Sequence, residues 1–186
     1  MEGEIIDNFS MIIDLIFDFW RCLLARKMTT KADYTNSEWE LLLQAITLVS
    51  MIIIASEFTL FSAVKEVFTF NKEVKHAKLN YQDNQLIQNL LIDTSDAEKT
   101  TQINEIENAV NFPDFLEDAQ EKIKAAVAIA HLKATPKEAQ EYKEFLYEIA
   151  TQIANASGEG IFGTGPKISQ QEAIVLERLK MLLELD

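Results

Sequence analysis

Glu73-Val74-Lys75-His76 places a carboxylate and an imidazole three residues apart, a spacing that stacks both on one face of a helix. That is half of a helical di-iron site, which needs a second Glu-x-x-His and two further acids. The other histidine, His131, has Ala128 three positions before it, so the mate is missing. Glu73 and His76 are metal candidates, set against the commoner reading of a charged helix face. A second candidate surrounds the stretch Ala156 to Lys167, which holds four of the five glycines and one of the three prolines. Gly158, Gly160 and Gly163 spell G-x-G-x-x-G, but a dinucleotide site needs that pattern after a strand, and here a helix precedes it. A phosphate loop fails as well, because Pro166 displaces Lys167 and no hydroxyl residue follows the lysine.

Laid on Asn155, Ser157, Glu159 and Gly160, a calcium-loop template fits positions one, three, five and six. Position twelve, where a bidentate acid belongs, is Pro166. What survives is a weaker oxygen site built from Glu159 and Glu172, so a divalent metal is the one cofactor for which the sequence leaves room. The bland alternative is a helix-to-helix loop whose Ile161 and Phe162 tuck into the core. Glu141, Glu144 and Glu148 line one side of a helix and read as a solvated face. Cys22 is the single cysteine, which excludes an internal disulfide and a thiolate zinc cluster and fits a reducing compartment. No histidine stands in a local motif with it, so it reads as an inert buried thiol rather than a nucleophile.

The elements that must position these groups are helices. With 186 residues and 48% hydrophobic content the chain can bury a substantial core as one domain. Sparse Gly and Pro beside abundant Leu, Ile, Ala, Glu, Lys and Gln favour helix over strand. A formal charge of -13 argues against nucleic acid, whose phosphates a binding surface must neutralise. The same charge suits solubility, a cationic partner or a metal ion.

Residues 3 to 26 form an amphipathic pattern, with Asp7, Asp14 and Asp18 interrupting the apolar positions. The acidic, interrupted start is unlike a signal peptide, and three aspartates are costly in a bilayer. Met28-Thr29-Thr30-Lys31 has the form of an ordinary protein start. The chain therefore divides into an N-terminal helical extension and lead-in, 1–36, and a helical domain, 37–186; the extension reads equally well as an added core helix.

Ser37-Glu38-Trp39-Glu40 carries a capping-box pattern and opens a long apolar helix. Leu41 to Ala55 has no charge, and Gln44, Thr47 and Ser50 form a polar stripe suited to close helix approach or to bonding the carbonyl one turn back. Leu41 to Val64 has Glu57 as its single charge, and the uncharged part is short for a span of about 20 apolar residues. A central core helix is favoured over a membrane span. A break at Ser56 to Phe58 precedes a helix through Val74 and Leu79 to about Asn80. Asp83 can cap a short helix to Asp93 carrying Leu86, Ile87, Leu90 and Leu91. Thr94-Ser95-Asp96 reads as a break, and Ser95 with Glu98 as the cap of a peripheral helix to Val110.

Phe112-Pro113 forces a turn into a helix from Asp114 to Ala134, presenting Phe115, Leu116, Ile123, Val127, Ala130 and Leu132. Thr135-Pro136-Lys137-Glu138 combines a capping Thr, Pro at the first position and Glu at the third. Its helix turns Ala139, Tyr142, Phe145, Leu146, Ile149, Ala150 and Ile153 inward. Ser169 with Glu172 caps the terminal helix of Val175, Leu176, Leu179, Leu182 and Leu183. Capping patterns at four apolar-periodic segments, with no strand alternation, specify an all-α bundle of about seven to eight helices with a Gly-rich loop before the C-terminal helix.

Ser37 to Ile46 with its apolar run, and Thr135 to Ala150 leading into Ser157 to Gly165, resemble small bacterial helical proteins and distantly the tellurite-resistance TerB-type domain. That resemblance covers the chain from Ser37 onward. It implies a metal site at an acidic turn and the following helix start, where this chain has Ser157-Gly158-Glu159-Gly160 and Ser169 to Glu172; the family's Asp is absent and the loop is longer. The expected function is that of a non-enzymatic cytoplasmic protein, an accessory of a stress or tellurite-resistance system, acting through a protein partner, homo-oligomerisation or weak metal binding. Two alternatives stand beside it: a membrane-associated protein using the apolar N-terminal helices, and a metal-dependent helical-bundle enzyme using Glu73 and His76.

Overall fold

A computed structural model describes residues 28–56, 79–96, 112–157 and 168–185. These form a 3-10 turn, Lys31–Asp33, and five α-helices: α1 Asn36–Ser56, α2 Gln85–Asp96, α3 Phe112–Lys133, α4 Pro136–Ser157 and α5 Gln170–Leu182. No strand occurs among the described residues. The protein is all-α. The amphipathic stretch 3 to 26 with Cys22, the 57–78 segment with Glu73 and His76, the Ser95–Glu98 cap with its helix to Val110, and the glycine loop with Glu159 lie wholly or partly outside them.

The apolar run after Trp39 makes α1 the centre of the bundle, packed against all four other helices. Leu42, Ala45, Ile46, Val49, Ile52 and Ile53 are buried, a set too wide for one stripe, as expected of a helix covered on several sides. By length and composition Asn36–Ser56 could cross a membrane, and 56% of its apolar window is already buried within the bundle. The polar stripe grades from exposed Gln44 through half-buried Thr47 to buried Ser50, whose hydroxyl donates to the Ile46 carbonyl at 3.1 Å.

The start of α1 lies two residues earlier than the Ser37 pattern indicates. Thr35 N–H donates to Glu38 Oε2 at 2.7 Å, and Glu38 N–H to Thr35 Oγ1 at 3.2 Å. Thr35 and Ser37 each have a glutamate three residues on, so two registers of the same box compete. Long-range contacts choose the first: Lys133 Nζ sits 2.6 Å from Glu38 Oε2, while Tyr34 packs on Trp39 with ring centroids 5.4 Å apart.

The cap of α2 is Asn84, not Asp83. Its Oδ1 accepts from Ile87 N–H at 2.9 Å, and its Nδ2 donates to the Glu138 carbonyl at 3.2 Å and to Glu141 Oε2 at 2.9 Å. An amide, unlike the ionised carboxylate of Asp83, can cap one helix and donate to another. The predicted break at Thr94 to Asp96 is absent. Thr94 Oγ1 donates to the Leu91 carbonyl at 3.1 Å, and the helix runs on through Asp96.

Helix α3 meets the core through Ala119, Ile123, Ala126 and Ala130, spaced four, three and four apart, whose small side chains let α1 approach closely. Leu132 was expected inside and is 68% exposed, because two residues beyond Ala130 a helix has rotated to its opposite side. Leu79, also read as apolar packing, is exposed. On α4 every predicted inner residue from Ala139 to Ile153 is buried. Tyr142, fully buried, donates its hydroxyl to the Leu42 carbonyl at 2.8 Å, and burial pushes its ionisation far up. Leu176, Leu179 and Leu183 close the core beneath α5, with Val175 and Leu182 half-buried at its edge.

Candidate functional site

Two polar constellations are assembled by these elements. The first is a buried carboxylate at the start of α4. Glu138 completes the capping box read from the sequence: Thr135 N–H and Oγ1 donate to its Oε2 at 3.1 and 2.9 Å, and its own N–H donates to Thr135 Oγ1 at 3.1 Å. It also receives a distant segment. Thr29 N–H lies 3.3 Å from Oε1, Thr29 Oγ1 lies 3.5 Å from Oε2, and Tyr34 donates its hydroxyl to Thr29 Oγ1 at 3.3 Å. Glu138 and Thr29 are 2% and 5% exposed, so their contact is buried, with Thr135 half-buried beside it. Burial, opposed by the bond to Thr29, raises the ionisation of Tyr34. The carboxylate of Glu138 is met by backbone amides and hydroxyls of Thr29 and Thr135, a donor set that holds it in place.

Beside the knot stand two lysine–carboxylate pairs. Lys31 Nζ lies 2.6 Å from Asp93 Oδ2, which also accepts from Trp39 Nε1 at 2.7 Å. Lys31 and then Trp39 hold the Asp93 carboxyl below its ordinary range. The hydrogen bond from Lys133, then the backbone N–H of Thr35, take Glu38 down to about 2. Lys133 also lies 5.6 Å from the centre of the Tyr34 ring.

The second constellation is an open cleft of about 560 Å³ between the 81–83 turn, the middle of α4 and the end of α5. Tyr81, Glu144, Tyr147, Glu148, Lys180 and Glu184 line it. Tyr81 donates its hydroxyl to Glu148 Oε2 at 3.0 Å, and its ring meets Phe145 edge-on at 5.9 Å. Burial, then the charge of Glu148, drives the Tyr81 ionisation strongly upward, so the phenol stays a donor. At the rim Glu184 has φ of 53°, the left-handed region usually left to glycine. The cause is the end of α5: Leu185 N–H reaches back to the Lys180 carbonyl at 3.1 Å, the closure of a Schellman motif whose αL position Glu184 fills.

Of the sequence-predicted metal residues, Glu172 is fully buried and its carboxylate takes up the predicted capping box, accepting Ser169 N–H at 2.7 Å while Glu172 N–H donates to Ser169 Oγ at 3.2 Å. Glu159, Glu73 and His76 lie outside the described residues. Among the described residues no three His, Cys, Asp or Glu side chains come together as a metal site. The face of Glu141, Glu144 and Glu148 is not simply solvated: Glu141 accepts from Asn84, Glu148 from Tyr81, and Glu144 from Gln140 Nε2 at 2.9 Å. Sequence reasoning missed Tyr81, Lys180 and Glu184 because no local motif joins them. Tyr81 meets the other two only when the 81–83 turn and the end of α5 pack on α4. No family model, curated protein or solved structure matches the chain.

Proposed function

We propose that this is a non-enzymatic, cytosolic helical protein that acts by association with a protein partner carrying a basic surface, and that the cleft between α4 and α5 is where the partner engages. The observation that carries this reading is the cleft itself. Three carboxylates and one ammonium line an open surface of a chain with formal charge -13, with the tyrosine Tyr147 among them. Such a lining favours cationic side chains through charge and ring contacts. The buried acids point the same way, because Glu138 and Glu172 are engaged in holding helix starts.

The full chain, on this reading, has seven to eight helices with the Gly158 to Gly165 loop leading into α5. The TerB-type resemblance suggests an accessory of a bacterial stress or tellurite-resistance system, with weak divalent-metal binding at Glu159 and Glu172 as a subsidiary property. Cross-linking of the protein in its own cells, followed by mass spectrometry, tests the association. Links from Lys180 or Lys143 to a second polypeptide, or to a second copy, that vanish in a Glu144→Lys/Glu184→Lys double variant are expected. Links confined to the chain itself in both proteins overturn the reading. A melting-temperature screen against magnesium, calcium, manganese, iron and zinc tests the metal component, with no shift from any of them as the failing result.

A membrane-associated role has one observation in its favour, the length and apolarity of Asn36–Ser56. Flotation of purified protein with liposomes is the experiment for it. Recovery in the dense fraction alone rejects that role.

A further inference from the structure

We infer that residues 28–34 form a clasp that opens as a unit while the five helices behind it stay folded. Polar contacts tie the segment to α2, α3 and α4, and its one apolar anchor is Tyr34, which packs on Trp39 with ring centroids 5.4 Å apart. Its 3-10 turn buries no residue, and only Thr29 and Tyr34 are inserted, at 5% and 8% exposure. Thr29 rests on Glu138 through contacts of 3.3 to 3.5 Å, at the long end for hydrogen bonds. Lys31 reaches Asp93 on α2, and the Asp33 carbonyl accepts Lys133 Nζ from α3 at 3.1 Å. The Lys31 side chain is 57% exposed and that of Asp93 27%, so salt reaches this pair.

Regions with few buried apolar contacts and solvent-reachable hydrogen bonds open at a lower free energy than the core. The clasp meets that description; α4, with its buried face from Ala139 to Ile153, does not. Opening uncovers the Glu138 carboxylate and the first turn of α4. A cation that competes for Asp93 therefore becomes a release signal. The clasp couples ionic surroundings to the exposure of a buried acid.

Four amides report the state: the first spans clasp and bundle, and the other three close a three-residue turn too short to persist once released. Thr29 N–H is bound to Glu138, Thr30 N–H to Asp33 Oδ2 at 2.7 Å, Asp33 N–H to the Thr30 carbonyl at 3.0 Å and Tyr34 N–H to the Lys31 carbonyl at 3.2 Å. Hydrogen exchange on the full chain, wild type and Asp93→Asn, at low and at about 1 M salt is the experiment. The four amides are expected to exchange on the order of tenfold or more faster than the amides of Leu146 and Ile149, and to gain a further severalfold in high salt or in D93N while those two hold their rates. Clasp amides that exchange at the core rate overturn the inference. So does a rise in both sets together, since clasp and bundle would then open as one. Clasp rates indifferent to both salt and D93N overturn the ionic control.

Discussion

Glu138 is a capping residue that the tertiary structure has made into a hub. Removing its carboxylate leaves the buried donors of Thr29 and the half-buried ones of Thr135 without their acceptor, and unsatisfied buried donors cost about 1 to 3 kcal/mol. Glu138→Ala is expected to lose about 3 kcal/mol in urea unfolding, and Glu138→Gln, which keeps one acceptor oxygen, clearly less. Equal losses in the two variants would show that the carboxylate's hydrogen bonds are not what matters. Glu38 makes the opposite kind of contribution, through charge at a partly open surface. Its carboxyl titrates at about 2 in the folded protein and near 4.5 in an unpaired chain, so the unfolded state binds the proton first as pH falls. The stabilisation is therefore complete above the ordinary carboxylate range and is lost as pH drops towards 2. Lys133→Met should return the Glu38 titration towards 4.5, which carbon-detected NMR of its carboxyl reads. A Glu38 still titrating near 2 would assign the shift to Thr35 instead.

At the scale of elements, two of the five described helix starts, those of α4 and α5, were legible in place because caps are local chemistry. Thr135 with Glu138 and Ser169 with Glu172 form as the sequence indicates. The start of α1 was legible only to within two residues. Two overlapping Thr/Ser-x-x-Glu registers are equivalent until Lys133 and Tyr34 arrive from elsewhere in the chain. Thr35→Ala should cost about 1 kcal/mol in thermal or urea unfolding, whereas Ser37→Ala, an exposed first-turn residue, should stay within about 0.5 kcal/mol. The reverse order of losses would return the cap to Ser37. Asn84 belongs to the same lesson: its side chain satisfies α2 and α4 together, and nothing in the run Tyr81-Gln82-Asp83-Asn84 indicates which of the last two residues turns inward.

For the whole molecule, the core is built on α1 against α3 and α4, with Tyr142, Phe145, Leu146 and Ile149 among its fully buried side chains. Ile149→Ala deletes buried volume at a site packed on all sides and should cost about 2 to 5 kcal/mol, read from the urea midpoint at unchanged slope. A loss below about 1 kcal/mol would mean that the bundle is loose there. The all-α class, the inward face of α4 and two of the capping boxes follow from the sequence alone, since helical periodicity and capping depend on residues three and four apart. The cleft, the Asn84 link, the register of α1 and the partnership of Thr29 with Glu138 were decided by tertiary structure. Their residues are as much as 109 positions apart, and the contacts that select them exist only once the helices have packed together.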